Sequence, residues 1–227
     1  MKKILLAVFF VFLSCSICFG AGQTSSGKTA NDIITNVRQI LNETTASFWT
    51  DAELLDWIDE AVKDIVSKSH CLEDTATIVL STNTKAYSWS GASDYVIIEP
   101  EGVFFLNHNT SKYTKLVNDK TVIGHTSNEG QPTHWYEFGN EVHVWPVPTS
   151  AYSGSTIYAD YIPVPTKIIA TTGNIETPAI YDNAIVWYVV SMAKAKDKNA
   201  NESAVFMKIY DELVNRYRVD ITREPSK

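Results

Sequence analysis

The chain has 227 residues, 44% hydrophobic and 20% charged, which is enough for one large or two small domains with a real core. Its formal charge of -7, from 19 basic and 26 acidic residues, argues against groove-type nucleic-acid binding, which needs clustered Lys and Arg to displace counterions from phosphate. It leaves open a wall that DNA slides past, because an acidic surface repels the backbone and does not hold it.

Met1 to Phe19 reads as a secretory signal: Lys2-Lys3, the apolar run Ile4 to Leu13, then smaller residues including Ser14, Ser16 and Gly20. It is too short for a comfortable membrane span. The alternatives are a retained apolar arm or a mis-assigned start. Cys15 and Cys18 fall in this leader, so Cys71 stands alone in the body of the chain, where no internal disulfide is possible. Next, Gly22-Gln-Thr-Ser-Ser-Gly27-Lys28-Thr29 satisfies the phosphate-loop pattern, with Lys28 for the terminal phosphate and Thr29 for magnesium. The apolar run before it is far longer than a first strand, and the strand-helix alternation of a parallel nucleotide-binding sheet is missing. The competing reading is a polar linker over 23–30.

Two helices follow. Ile33, Ile34, Val37, Ile40 and Leu41 recur at helical spacing. Thr50-Asp51-Ala52-Glu53 is a capping box opening a second helix, with Leu54, Leu55, Ile58, Ala61, Val62 and Ile65 as its buried stripe and Trp57 at the margin. Asp56, Asp59, Glu60, Lys63 and Asp64 read as its solvated face.

From Thr75 to Pro163 the period changes to two. Strands are expected at Thr75 to Ser81, Ala86 to Ser90, Tyr95 to Ile98, Val103 to Asn107 and Thr156 to Pro163, with a hairpin at 133–146. Lys112 to Asn128 is polar and reads as a short helix or a long loop. In the hairpin, Gly139-Asn140 is the two-residue turn signal. Pairing Phe138 with Glu141 sets Tyr136 against His143 and His134 against Trp145 on one face, leaving Trp135, Val142 and Val144 on the other. Both faces carry bulky groups, so the ribbon should pack on a core with one and meet a partner with the other. Pro146 and Pro148 should end the second strand.

Thr177-Pro178 reads as an N-cap followed by proline at the first helical position. Ile180, Tyr181, Ala184, Ile185, Tyr188, Val189 and Met192 form the stripe of that helix. Val205, Phe206, Ile209, Tyr210, Leu213, Val214 and Tyr217 form the stripe of a second helix, antiparallel to it across a short turn. The class is therefore α+β: an N-terminal helical pair, an antiparallel β-sheet or small barrel insertion, and a C-terminal antiparallel helix pair. The expected divisions are a leader over 1–22, a helical bundle from 31–72 and 177–221, and a β-rich domain over 73–176.

Catalytic chemistry is not apparent. His134 and His143 are a diagonal pair without a third ligand, so no metal is assigned, and neither a nucleophile elbow nor a His-Glu-x-x-His helix occurs. No cofactor is expected, and a binding role is favoured over an enzyme. The candidate partner contacts are Trp135, Tyr136, His143, Trp145 and Trp57.

The ordered segments Trp49-Thr50-Asp51-Ala52-Glu53-Leu54-Leu55-Asp56-Trp57-Ile58-Asp59-Glu60-Ala61, Gly130-Gln131-Pro132 leading to Trp135-Tyr136, Val142-His143-Val144-Trp145-Pro146-Val147-Pro148, Tyr158 to Pro163 and Tyr181-Asp182-Asn183-Ala184-Ile185 resemble tailed-phage head-to-tail adaptor (connector) proteins. The resemblance covers roughly residues 31 to 218 and lies in the order of several motifs. It implies a homo-oligomeric ring, commonly dodecameric, that docks under the portal protein, extends the DNA channel and receives the tail tube or nozzle, without catalysis. It places the protein in the virion neck, assembled in the host cytoplasm. The leader alone implies export to the periplasm, and with it an exported β-rich binding module as the competing function; a nucleotide hydrolase using Lys28 and Thr29 is the third.

Overall fold

Two capping boxes set the starts of the first two helices. Thr29 donates its backbone N–H and its hydroxyl to Asp32 Oδ2, both at 2.8 Å, ahead of α1 (Ala30–Leu41). Thr50 and Glu53 exchange the same kind of bonds ahead of α2 (Asp51–Ser69), with Glu53 N donating to Thr50 Oγ1 at 3.3 Å. Both helices stop at residues in the left-handed region, Asn42 and His70. The computed structural model describes residues 25–43, 45–88, 95–124, 128–139 and 141–222. The signal-like leader, Gly22 of the loop pattern, and Asn140 lie outside the described residues.

α3 (Asp182–Lys196) and α4 (Ala200–Thr222) complete a helical body with α1 and α2. Its core holds Ile33, Val37, Leu54, Ile58, Ile65, Ile185, Val189 and Tyr210, all fully buried. The antiparallel α3–α4 pair is closed by Ser191 Oγ donating to Ser203 O at 2.8 Å and by Trp187 stacked on Phe206. Trp49 closes the N-terminal pair over α3, its indole Nε1 donating to Ala193 O at 3.2 Å.

Four sequence expectations change in this body. Thr177 does not cap an α-helix: a 3-10 turn, Ala179–Tyr181, intervenes before α3. The reason is that Thr177 O accepts from Ser26 N at 3.0 Å, which holds this stretch extended beside 25–29. Residues 25–29, read as linker or phosphate loop, are thereby fastened to 173–178 by Ala30 N to Gly173 O and Ile175 N to Lys28 O. Ile180 and Val205, placed in the buried stripes, are exposed. Asp59, placed on the wet face of α2, is buried, because its Oδ1 accepts from Ile168 N at 3.0 Å while Oδ2 pairs with Lys63 Nζ at 2.7 Å. The bundle needs an acceptor there, since the returning chain offers it a buried donor.

Between α2 and α3 the chain builds two facing four-stranded sheets. The first has the order β1 (Asp74–Val79), β10 (Thr156–Pro163), β3 (Tyr95–Asn107), β4 (Lys112–Lys115), and every neighbouring pair is antiparallel. The second has the order β2 (Ala86–Ser88), β8 (Glu141–Trp145), β7 (His134–Phe138), β5 (Val117–Asn118). Only its β5–β7 pair is parallel. Leu116, fully buried, is the corner where the chain passes from one sheet to the other: Leu116 N bonds Val103 O, and Val117 N bonds Thr133 O. The sheets share one core of Ile78, Leu80, Val103, Phe105, Leu116, Trp135, Val142, Val144 and Ile157. The segment from Lys112, read as helix or loop, is thus partly strand, followed by a 3-10 turn at Lys120–Gly124. Pro148, expected only as a terminator, lies in the short strand β9 (Val147–Pro148), which pairs in parallel with β6 (Glu129–Gly130).

The two expected strands at Tyr95 to Ile98 and Val103 to Asn107 are one strand of 13 residues. Pro100 and Gly102 mark a break in the sequence, and the pairing with β10 breaks there: between the Val103–Ala159 and Ile98–Tyr161 pairs, residues 99–102 of β3 stand opposite the single residue Asp160, so the bulge is in β3. Asp160 leans over Gly102, where an added Cβ would meet Asp160 Cβ at 2.7 Å. Gly102→Ala is therefore expected to cost about 1–3 kcal/mol, read as a lowered midpoint in chemical denaturation. A wild-type midpoint would show that the bulge yields.

Candidate functional site

The β7–β8 hairpin has the expected register: His134 opposite Trp145, Trp135 opposite Val144, Tyr136 opposite His143, and Phe138 opposite Glu141. Gly139 turns the chain at φ 63, a value that favours glycine. Alternation then divides the side chains. Trp135, 1% exposed, enters the core between the sheets together with Val142 and Val144.

On the opposite face Tyr136 stacks on His143, ring centroids 4.9 Å apart and planes 19° apart, and its hydroxyl lies 3.4 Å from His143 Nδ1. Lys85 Nζ sits 5.7 Å from the Tyr136 ring centroid, and Tyr136 is only 2% exposed. His134 meets Trp145 edge-on at 5.4 Å. Thr133 Oγ1 lies 2.8 Å from His134 Nδ1, and Glu141 Oε2 lies 3.7 Å from His143 Nε2. The apolar group that leaves the ribbon is Phe138, 65% exposed, its ring edge against His143 at 6.0 Å.

The five candidate contacts therefore separate. Trp135 and Tyr136 are interior in the single chain and cannot present a ring to a partner without rearrangement. His143 and Trp145 are half-buried on the second face, and Trp57 is half-buried on the helical core far along the chain. Phe138 was missed, although its place at the strand end beside the turn signals a protruding tip. Also missed was the outer face of the first sheet, where Phe104, Leu106 and Tyr158 are half-buried and Tyr113 and Val79 are exposed. Its signal is Val103-Phe104-Phe105-Leu106, an unbroken apolar run where a strand with one wet face would alternate.

The other charged groups serve the fold. Lys28 Nζ pairs with the buried Asp182 carboxylate at 2.9 Å and Thr29 caps α1, so the two phosphate-loop candidates are engaged with the protein itself. Burial pushes the Cys71 thiol up, away from a reactive thiolate. Tyr210 donates to Asp64, and burial together with that carboxylate raises its phenol. Among the described residues, no three His, Cys, Asp or Glu side chains converge as metal ligands, and no helix is long and apolar enough to cross a membrane.

Lys196 Nζ, on the last turn of α3, donates to Glu53 Oε1 at 2.7 Å and to Phe48 O at 2.8 Å. This bond, with the Thr50 cap, holds the Glu53 carboxyl down to about 2. A depressed carboxylate stabilises the fold above its ordinary titration range, and the contribution is lost as pH falls toward the folded value. The difference in melting temperature between wild type and Glu53→Gln is thus expected to be constant near neutrality and to shrink below about pH 4. An unchanged difference down to pH 2.5 would assign the effect to packing.

The sequence model for the SU10 adaptor protein family matches residues 28–226. The chain belongs to that family. It is thus a phage structural adaptor associated with the virion, and the matched region takes in α1 to α4 and both sheets. No curated protein matches it.

Proposed function

We propose that this adaptor forms a ring, dodecameric as the resemblance to tailed-phage connectors implies, that docks under the portal, extends the DNA channel and receives the tail tube or nozzle. The observation that carries the reading is the family match over nearly the whole described chain. Two outward apolar surfaces, Phe138 at the hairpin tip and the Val79, Tyr113 and Phe104 face of the first sheet, support it, since a ring subunit must meet two neighbours, a portal and a tail. The net charge of -7 suits a channel that releases DNA quickly. DNA passes through without sequence reading.

Light scattering and negative-stain microscopy of the full chain, alone and with the portal of the same phage, test this. Closed rings or a defined portal complex are expected; a monomer indifferent to the portal would sink the reading. Met1 to Phe19 favours a second reading, an exported β-rich binding module, and a mature N-terminus near Ala21 in a periplasmic fraction would support that instead.

A further inference from the structure

We propose that copies of this chain join head to tail through the two open edges of the first sheet, β1 of one copy pairing with β4 of the next. The ring reading above supplies the second copy; the seam itself rests on strand polarity, edge charge and the pleat.

Strand polarity comes first. In the order β1-β10-β3-β4 all three pairs are antiparallel, so β1 and β4 run in opposite directions. A rotation that brings β4 beside the β1 of the next copy therefore continues the alternation across the seam. Neither edge strand has a second strand partner among the described residues. Such a row of backbone N–H and C=O groups is a template for another strand.

The charges on the two edges are opposite. Glu73 and Asp74, at the start of β1, are exposed, and so are Lys112 and Lys115 on β4. Unlike edges attract, while β1 against β1 or β4 against β4 sets like charges together. The contact is therefore heterologous, the kind that closes into rings and not into two-fold dimers.

The pleat also fits. Thr75, Thr77 and Val79 share the outer face of β1, and Tyr113 and Lys115 share that of β4. Directly opposed residues of an antiparallel pair point to the same side. Setting Lys115 opposite Thr75 puts Tyr113 opposite Thr77. Lys115 is then diagonal to Glu73, and Tyr113, 63% exposed, is diagonal to Val79, 64% exposed. Two strongly exposed apolar groups of this sheet cover each other, and Phe104, Leu106 and Tyr158 continue the outer face behind them.

The test uses the full-length protein in its assembled form. Carbodiimide, which joins a carboxylate to an amine in direct contact, should link the peptide holding Glu73 and Asp74 to the one holding Lys112 and Lys115. Within one subunit the two edges lie three strand spacings apart, about 14 Å, beyond the reach of that reagent. In parallel, Lys112→Glu/Lys115→Glu makes both edges acidic, and Glu73→Lys/Asp74→Lys makes both basic. Each variant alone should lose at least tenfold in assembled fraction, and an equal mixture should recover it, which general structural damage would not do. Wild-type rings with neither the cross-link nor any loss in the variants would overturn the seam and leave the ring reading standing. Failure of the mixture to recover would also overturn it. Wild-type protein that never assembles, with or without portal, would overturn the ring reading and the seam with it.

Discussion

Trp135→Ala is expected to lower the unfolding free energy by about 3–5 kcal/mol, while Phe138→Ala stays within about 0.5 kcal/mol of wild type. Trp135 is among the largest fully buried side chains and contacts both sheets through the shared core. Its indole Nε1 has no hydrogen-bond partner, so the loss is one of packing and Trp135→Phe should recover part of it. Phe138 contributes little to that core and stands in solvent. Its removal should instead weaken ring or portal assembly, by about 2 kcal/mol if it is an interface anchor. Urea denaturation followed by far-UV circular dichroism reads the first effect and light scattering the second. If both variants lost stability equally with assembly unaffected, the division of the hairpin into a core face and a projecting tip would be wrong.

The second large effect belongs to Arg38. Its buried guanidinium donates through Nη2 to Trp49 O at 2.9 Å and to Asp51 Oδ1 at 2.6 Å, while Nη1 lies 3.8 Å from Glu43 Oε1. Glu43 in turn accepts from the Ser47 and Phe48 N–H groups. One guanidinium thus ties α1 to the start of α2 and to Glu43. Removing it strands a buried carbonyl and loosens the lead into the Thr50 cap, so Arg38→Ala is expected to cost about 2–4 kcal/mol. Lysine's ammonium has three donors but no second nitrogen to stand beside Glu43 while the first holds Trp49 O and Asp51. Arg38→Lys should therefore remain closer to alanine than to wild type in the same denaturation experiment, and a full rescue by lysine would reduce the site to a simple charge pair.

How much of this was legible in the sequence depends on how far each residue's decisive partner lies along the chain. Thr50 and Glu53 are three positions apart, and their box stands where it was read. Gly139 and the alternation around it fix the hairpin register without outside help. Asp59 resembles its solvated neighbours in every local respect, and only Ile168, 109 positions away, buries it. Tyr136 and Trp135 sit on opposite faces by alternation alone, but alternation does not say that both faces are covered. Thr177-Pro178 carries an ordinary helix-start signal, which is overridden because the N-terminal segment claims the Thr177 carbonyl. The outer face of the first sheet was visible in Val103 to Leu106 only as a missing alternation.

The indole bond from Trp49 to Ala193 spans 144 positions, and the whole two-sheet body lies between its ends. On a ribosome the sheets therefore emerge with their own core before α3 and α4 exist, while α1 and α2 wait with an uncovered apolar side. The bundle closes only when the last helices arrive, after the long loop between its halves has been shortened by the folded sheets. A chain cut before Asp182 can complete its β core but lacks the α3 and α4 side chains, Ile185, Val189 and Tyr210 among them, that complete the core around Ile58 and Ile65. Synthesis and maturation are thereby coupled: the α1–α2 half of the subunit becomes a finished surface only once the α3–α4 half has been made.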